Sequence, residues 1–363
     1  MNGATRPGHH HFSTDYAEAR RRLFAACEAA GLDVESHRHP LRGPDGGIIA
    51  IDVVRVGPAQ ARRRLAVVAG THGVEGYFGA AVILGLIADG YLRALPADTA
   101  VVLIHGLNPH GFAWTRRVTE DNVDLNRNWV DFALPHPDAP DYDVIAPALL
   151  PASLGTEDLE AANAILRRYA RDHGLAALQA AITRGQYHRD DGLYFGGRGP
   201  TWSRRRMAGI AARHLAGPGP VAVVDCHTGL GGHGFGEVIS IAAPDSAEFA
   251  RALNLFGPGV TSTLAGDSVS AHLIGSLDEG MAGLVGPADL TFVALEVGTR
   301  DGQTVIAALR DDNWLHARGH PGGAEAAAIK ARLKDAFAPA ETGWQDRVYG
   351  LGIACVTRAL QQL

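Results

Sequence analysis

Histidine and acidic side chains stand at the ends of two apolar runs in this sequence. The run R-L-A-V-V-A-G leads into T-H-G-V-E, which places His72 three residues before Glu75. The run V-A-V-V leads into D-C-H-T-G, which contains His227. Two imidazoles and one carboxylate are a common ligand set for a catalytic zinc ion, because they leave a fourth position for water. Residues three apart at a helix start can face one ion together, so these three form a candidate metal site.

A third apolar run, L-T-F-V-A-L-E, ends on Glu296 and adds a carboxylate beyond that ligand set. Such a carboxylate is suited to act as a general base on a zinc-bound water and to shuttle its proton. The alternative is that His72 and His227 only cap strand ends by hydrogen bonding. With 17 histidines in the chain, a His-x-x-Glu pair on its own is weak support for metal binding.

A polar segment, N-P-H-G-F-A-W-T-R-R-V-T-E-D-N-V-D-L-N-R-N, follows another apolar run and contains the paired arginines Arg116 and Arg117. In an enzyme, one arginine could stabilise an oxyanion and another could hold a substrate carboxylate in bidentate fashion. The alternative is a solvated loop with surface ion pairs. Composition alone leaves both interpretations open.

The apolar runs alternate with helical patterns along the chain. We predict strands at 36–39, 47–56, 64–70, 100–105, 221–226, 237–242 and 290–296, and helices at 14–30, 76–88, 157–181, 322–337 and 343–362. This rhythm predicts an α/β fold with a mostly parallel or mixed twisted sheet and helices on both faces. Ligand sites in such sheets lie beyond the carboxyl ends of the strands, so the strand-end residues are expected to converge.

One domain is expected over residues 1–363, with a core at about 45–300. A Pro/Asp-rich stretch opens a helical insertion at about 130–215, and strand patterns resume after it. The insertion is therefore expected to shape the pocket of that domain rather than to form a second one. The C-terminal helices are expected at about 322–362.

Composition restricts the class of protein. The 363 residues carry a formal charge of −6 and are 46% hydrophobic, which is typical of a globular domain. The acidic balance argues against nucleic acid, and the lack of a long apolar run argues against a membrane span. Three cysteines without a C-x-x-C pair, and an N-terminus without a signal pattern, predict a cytoplasmic protein. A monomer and a homo-oligomer both remain open.

Motifs of other enzyme classes are missing or out of place. The only two lysines, Lys330 and Lys334, are expected on an exposed helix face, away from any phosphate-binding loop. The stretch G-L-G-G-H-G at 229–234 precedes a strand pattern instead of a helix, which argues against dinucleotide binding. The histidines at 9–11 are expected in a disordered arm.

In order, H-G-V-E, N-P-H-G, V-D-L-N-R-N-W, D-C-H-T-G and L-E-V-G-T resemble the zinc carboxypeptidase superfamily. That superfamily includes the aspartoacylase–succinylglutamate desuccinylase branch, and the resemblance is closest to a bacterial branch labelled as a domain of unknown function. It spans about residues 45–300. The motifs are specific in combination, although none of them is specific alone.

The resemblance implies a role for each candidate residue. His72, Glu75 and His227 would bind one Zn²⁺ per chain, and Glu296 would be the general base. The remaining roles would be oxyanion stabilisation by Arg117 (with Arg116 as the competing choice), substrate carboxylate binding by Asn126 and Arg127, and orientation of His72 by Asp124. Tyr187 and Tyr194 are the candidates for a tyrosine that caps the substrate.

The resemblance also implies an activity. The substrate would be a small peptide or an N-acyl amino acid that carries a carboxylate, and the reaction would be carboxypeptidase-like hydrolysis of its amide bond. An N-acyl amino acid deacylase of the aspartoacylase or desuccinylase type is the alternative. A metal- or ligand-binding protein without turnover is a further one.

Overall fold

The computed structural model describes residues 6–286 and 289–363. Within them, eight strands form one sheet: β1 (Val34–Arg42), β2 (Ile48–Val56), β3 (Arg63–Ala69), β4 (Thr99–His105), β5 (Val221–Thr228), β6 (Gly236–Ser240), β7 (Val260–Ser262) and β8 (Leu290–Val297). Their order across the sheet is β1-β2-β4-β3-β5-β8-β6-β7. The central strands β4, β3, β5 and β8 are parallel, whereas β1, β2 and β6 each pair antiparallel with a neighbour. The sheet is therefore mixed.

The helices of the described residues are α1 (Tyr16–Ala30), α2 (Gly76–Ala88), α3 (Pro109–Ala113), α4 (Pro140–Leu149), α5 (Thr156–His173), α6 (Leu175–Thr183), α7 (Trp202–His214), α8 (Ala247–Phe256), α9 (Leu277–Val285), α10 (Gly302–Ala317), α11 (Ala326–Phe337) and α12 (Thr342–Gln362). Short 3-10 helices lie at Gly8–His11, Gly73–Glu75 and Leu125–Arg127. The fold is thus a single α/β domain, as the sequence predicts.

Helices cover both faces of the sheet because side chains alternate along each strand. On β3, Leu65 and Val67 pack into a layer that includes buried residues of α1, α2, α8 and α12. Ala66 and Val68, on the opposite face, pack with buried residues of α7 and α9. Strands covered on both faces read as continuous apolar runs, which is why their positions could be predicted from sequence.

The segment 130–215 contains helices α4 to α7 and no strand of the sheet among its described residues. The single helix predicted at 157–181 is wrong in one respect, because it is two helices that meet at Gly174. That glycine has a φ of 90°, which lies outside the helical region and interrupts the helix between His173 and Leu175.

Two sequence expectations about charged side chains are corrected. The residues 9–11 are ordered: His11 is buried, lies 3.0 Å from Asp89 through its Nε2 atom and stacks on Tyr349. Lys330 is not on an exposed face, because its Nζ donates to Asp312 over 2.5 Å in a largely buried position. In both cases a distant residue supplies the acidic partner, which a local sequence pattern does not show.

The remaining expectations concern the glycine-rich turn and membrane spans. The stretch 229–234 leads into strand β6, so no helix N-terminus is presented there to a pyrophosphate. Of the helices in the part of the chain that the structure describes, none has the length and apolar character needed to cross a membrane.

Candidate metal centre and substrate pocket

Two glycines let the chain turn from strand β3 into helix α2 at the candidate metal centre. Gly70 follows β3 with a φ of 77°, a region that side chains other than glycine rarely adopt. A Cβ atom on Gly73 would lie 2.0 Å from the backbone carbon of Gly111, so only glycine allows this close approach. The turn places His72 and Glu75 on either side of Gly73, at the start of α2.

The three candidate ligands meet at the carboxyl ends of β3 and β5. His72, Glu75 and His227 are buried, and one ligand atom of each lies within 4.8 Å of the others. Glu75 is central: its Oε1 is 2.9 Å from Nδ1 of His72, and its Oε2 is 2.9 Å from Nδ1 of His227. Both imidazoles therefore direct the same ring nitrogen toward one carboxylate.

The other ring nitrogen of each histidine faces an aspartate. Nε2 of His72 lies 3.1 Å from Asp124, as the resemblance implied, and Nε2 of His227 lies 2.7 Å from Asp225. Carboxylates in these positions orient an imidazole and raise its basicity toward a metal. Asp225 was not predicted, although its spacing of two residues from His227 on one strand puts both side chains on the same face.

The two histidines differ in how they contact Glu75: Nδ1 of His227 makes a hydrogen bond with its Oε2, whereas Nδ1 of His72 does not make one with its Oε1. Nδ1 of His72 is buried and, among the described residues, has no hydrogen-bond partner with good geometry, despite its short distance to Glu75. A buried ring nitrogen that lacks a hydrogen bond and lies beside a carboxylate is a position that a metal ion can occupy. Two imidazole nitrogens and a carboxylate suit zinc, so the residues present fit the metal that the resemblance implies.

Glu296 supplies a second carboxylate beside this centre. Glu296 lies on strand β8 and pairs in register with His227 of the neighbouring strand β5. Its Oε1 accepts a hydrogen bond of 3.0 Å from the backbone N–H of Leu230. Burial, followed by the nearby charge of Glu75, raises the pKa of Glu296 to about 8. It stands outside the group of three ligand atoms and lines the same pocket.

Arg117 lies against the metal ligands. Its guanidinium donates to Glu75 over 2.7 Å and to Asp124 over 3.1 Å, and it lies over the ring of Tyr194 at 5.2 Å from the centroid. Burial lowers the pKa of Arg117, but the negative charges of Asp124 and Glu75 raise it by more, so the pKa lies above its usual value. The arginine therefore stays charged inside the pocket.

Arg116 is a correction to the sequence expectation, because its side chain points away from the pocket. Its guanidinium contacts Asp312 over 3.2 Å and donates to Asn122 over 2.9 Å. Asp312 also accepts from Lys330, so Arg116 belongs to a buried ion cluster between the loop and helices α10 and α11. Arg117 is the arginine of the pair that contacts the metal ligands.

Asn126 and Arg127 both line the pocket. The side chain of Asn126 accepts a hydrogen bond of 3.0 Å from the backbone N–H of Leu277, at the start of helix α9. The guanidinium of Arg127 is almost fully buried and donates to the backbone carbonyls of Thr183 and Asn126, each over 3.0 Å. These contacts fix the side chain and tie the insertion to the pocket wall.

The two candidate tyrosines are placed differently. Tyr194 lines the pocket and has a φ of 54°, an unusual backbone conformation for a residue other than glycine. Tyr187 lies behind the wall, where its hydroxyl donates to the backbone carbonyl of Arg127 over 2.7 Å. Tyr194 is therefore the tyrosine of the pair that can reach a bound molecule.

The pocket extends from the candidate metal centre past strand β8 to helix α9. Its space, with the open mouth and adjoining solvent included, is about 930 Å³. Its lining brings together every predicted site residue except Arg116, Asp124 and Tyr187. Asp124 lies behind the lining, where it contacts His72 and Arg117.

Comparisons with known proteins give a family match over most of the chain. A family model described as "Protein of unknown function (DUF2817)" matches residues 12–350. No curated protein matches the chain.

Solved structures with a similar arrangement include carboxypeptidases. Bovine thrombin-activatable fibrinolysis inhibitor, in complex with tick carboxypeptidase inhibitor, is 12% identical with a TM-score of 0.47, and the match covers 89% of this chain and 96% of that one. A metallo-carboxypeptidase from Pseudomonas aeruginosa is 16% identical with a TM-score of 0.42, covering 92% and 69%. A protein from Shewanella amazonensis, described as of the succinylglutamate desuccinylase / aspartoacylase family, is 18% identical with a TM-score of 0.38, covering 80% and 73%. These likenesses are too distant to assign an activity to this chain.

Proposed function

We propose that this chain is a metal-dependent hydrolase of an amide bond. It belongs to the DUF2817 family, because the model of that family matches residues 12–350. The substrate is a small peptide or an N-acyl amino acid with a free carboxylate. The observation that carries the proposal is the convergence of His72, Glu75 and His227, with the further carboxylate of Glu296 in the same pocket. Three ligands with an open fourth position suit metal-assisted hydrolysis, and a nearby carboxylate can act as its general base.

His72, Glu75 and His227 would hold the metal. A bound zinc ion polarises a carbonyl oxygen and lowers the pKa of water to about 7. Asp124 and Asp225 keep the two imidazoles oriented, with Nδ1 of each facing Glu75. The pair of aspartates therefore prepares the ligand geometry before any substrate enters.

Glu296 is the group proposed to move protons. Its carboxylate accepts a proton from the attacking water and delivers it to the amine that leaves. The hydrogen bond from Leu230 fixes one oxygen, so the other oxygen can face the reacting atoms. Burial of this carboxylate strengthens its basicity, since burial disfavours the charged form and raises the pKa of the carboxyl group.

Arg117 is proposed to stabilise negative charge on the carbonyl oxygen as the amide bond is attacked. Its guanidinium is positioned by Asp124, and the same aspartate orients His72. A cation held in place before the reaction costs no reorganisation when charge develops, which is how such groups lower a barrier. One aspartate thereby aligns a metal ligand and an oxyanion donor.

Asn126 and Arg127 are proposed to bind the substrate carboxylate. Three N–H groups of Arg127 donate to the backbone carbonyls of Thr183 and Asn126, out of the five that a guanidinium carries. The remaining N–H groups are proposed to face the substrate at the pocket wall. A carboxylate there places the adjacent amide bond near Glu296.

The test is hydrolysis by the zinc-loaded protein of two matched panels, blocked dipeptides and N-acyl amino acids, followed by detection of the released amine. We expect turnover of at least one panel, and which panel is cleaved separates the carboxypeptidase activity from the deacylase activity. Glu296→Gln should abolish turnover and leave the zinc content unchanged. A protein that cleaves neither panel, or a Glu296→Gln variant that is as active as the wild type, would contradict the proposal.

A further inference from the structure

Thr71 is a buried hydroxyl residue that stands directly before the candidate ligand His72 and that the proposed reaction does not use. Its Oγ1 donates a hydrogen bond of 2.7 Å to Oδ1 of Asp225. The other oxygen of that carboxylate, Oδ2, lies 2.7 Å from Nε2 of His227. Asp225 therefore links the residue beside one histidine ligand to the other histidine ligand on strand β5.

The turn after strand β3 brings Thr71 to Asp225. In the parallel pairing of β3 and β5, Val68 lies opposite Asp225. An uninterrupted strand would carry Thr71 three residues past that position, which is about 10 Å along the sheet. Gly70, with its φ of 77°, ends the strand instead, and the hydroxyl of Thr71 lies at hydrogen-bond distance from the carboxylate. The turn that presents His72 to the metal thus also presents this hydroxyl to Asp225.

Burial makes the hydrogen bond between Thr71 and Asp225 difficult to replace. Both residues are 0% exposed. In the described part of the chain, the carboxylate has one partner for each oxygen, the Thr71 hydroxyl and the ring of His227. Without the hydroxyl, Oδ1 would be a buried charged atom that water does not reach, which is unfavourable. The terminal torsion of an aspartate is soft, so the carboxylate would turn toward another donor and lose its alignment with His227.

The orientation of Asp225 bears on which ring nitrogen of His227 can bind a metal. The nitrogen that faces Glu75 is Nδ1, at 2.9 Å, and it can coordinate only without a proton. The neutral ring then carries its one N–H on Nε2. A carboxylate is an acceptor only, so Asp225 favours the form of His227 that has the proton on Nε2.

Asn126 provides the contact that competes with Asp225. Its Oδ1 accepts from the backbone N–H of Leu277, so the group that it turns to His227 is the amide nitrogen, 3.4 Å from Nε2. A donor facing Nε2 favours the form of the ring with its proton on Nδ1, which cannot bind a metal. Asp225, which is closer at 2.7 Å, prevails over this donor only as long as its carboxylate stays aligned.

We propose that Thr71 is a positioning residue of the metal centre. Its hydroxyl holds Asp225 in the orientation that keeps the proton of His227 on Nε2 and leaves Nδ1 for the metal. The proposal rests on the metal centre of the proposed function and is independent of the substrate. It makes coordination by His227 depend on the residue next to His72, so the two histidine ligands are coupled through one hydroxyl.

Zinc affinity, measured by competition with a chromogenic chelator, tests this role. Thr71→Val and Thr71→Ala both remove the hydroxyl, and the valine nearly keeps the volume of the side chain, whereas Thr71→Ser keeps the hydroxyl. We expect zinc affinity to fall roughly tenfold in the first two variants and to stay within about threefold of the wild type in Thr71→Ser, because partners of a ligand are worth about 10–100-fold. Two variants without the hydroxyl keep the test valid if one of them does not fold.

Thr299→Val is the matched control for loss of a buried threonine hydroxyl. Thr299 is 1% exposed, donates over 2.6 Å to the backbone carbonyl of Ala336 and lies outside the pocket lining. Thr299→Val and Thr71→Val should therefore lose similar stability to denaturant, but only Thr71→Val should lose zinc affinity. The visible spectrum of the cobalt-loaded protein, which reports the ligands and their geometry, should change in Thr71→Val alone.

A double-mutant cycle with Asp225→Asn shows whether Thr71 acts through Asp225. Residues that act in one chain of contacts have effects that do not add. In the Asp225→Asn background, Thr71→Val should therefore reduce zinc affinity by about twofold or less. An undiminished further loss in that background would overturn the proposal.

The remaining outcomes separate this proposal from the proposed function. Wild-type zinc affinity in both Thr71→Val and Thr71→Ala would overturn the role of Thr71, as would a Thr71→Ser variant as weak as Thr71→Ala. A wild-type protein that binds no zinc would overturn the metal centre and the role of Thr71 together. The expected loss of zinc affinity in Thr71→Val, in a protein that cleaves neither substrate panel, would support the role of Thr71 and refute the hydrolase.

Discussion

Each histidine of the candidate metal centre uses one ring nitrogen toward Glu75 and the other toward an aspartate. The aspartates come from different parts of the chain: Asp124 precedes the 3-10 helix Leu125–Arg127, and Asp225 lies two residues before His227 on β5. The second contact is the shorter one, at 2.7 Å against 3.1 Å. Asp225 is therefore expected to matter at least as much as Asp124 for metal binding.

Replacing Asp225 by Asn tests this expectation at the level of one residue. The amide keeps the shape of the side chain but loses the charge that makes His227 a stronger ligand, so zinc affinity should fall roughly 10–100-fold. Competition with a chromogenic chelator measures the affinity. Asp245→Asn, at an exposed position before helix α8, is the matched control and should bind zinc like the wild type. Unchanged affinity in Asp225→Asn would show that Asp225 does not support the ligand.

The sequence could place the candidate ligands because their signal is local. His72, Glu75, His227 and Glu296 each follow an apolar run, and parallel strands bring such ends to one edge of the sheet. Arg116 could not be told from Arg117, because the choice depends on whether Asp312 is near, and Asp312 lies 196 residues further along the chain.

The loop between helix α3 and the 3-10 helix Leu125–Arg127 positions Arg117, and buried contacts hold it in place. The backbone carbonyls of Arg116 and Arg117 accept hydrogen bonds from Val74 and Gly73, over 2.8 and 3.0 Å. On its other side, Arg116 contacts Asp312 of helix α10, which also accepts from Lys330 of helix α11. The loop is thereby fixed to the turn that carries the metal ligands and to two C-terminal helices.

Replacing Asp312 by Ala should weaken this element strongly. It leaves the buried charges of Arg116 and Lys330 without their shared partner, and breaking a buried pair in this way costs about 3–5 kcal/mol of unfolding free energy. Denaturant unfolding measures the change. The control Asp335→Ala, on helix α11, removes an exposed ion pair with Arg300, which keeps Glu341 as a partner, and should cost about 0–1 kcal/mol. Similar losses in the two variants would contradict the role of Asp312.

At the scale of the whole molecule, the central strands of the α/β fold could be predicted from the sequence better than the peripheral strands and helices. Both-face burial makes β3, β4, β5 and β8 read as apolar runs. The edge strand β7 has only three residues, and helices α8 to α10 lie in stretches of the sequence for which no helix was predicted. Their positions depend on packing against distant elements, such as α9 against the sheet face that carries Phe292.

The central claim is that the chain binds a metal ion through His72, Glu75 and His227. The most direct measurement is elemental analysis of the purified, tag-free protein after equilibration with zinc at neutral pH and removal of free metal. The account predicts about one zinc per chain, and a loss of that zinc in His72→Ala. A protein that holds no zinc under these conditions, or a His72→Ala variant with unchanged zinc content, would contradict it.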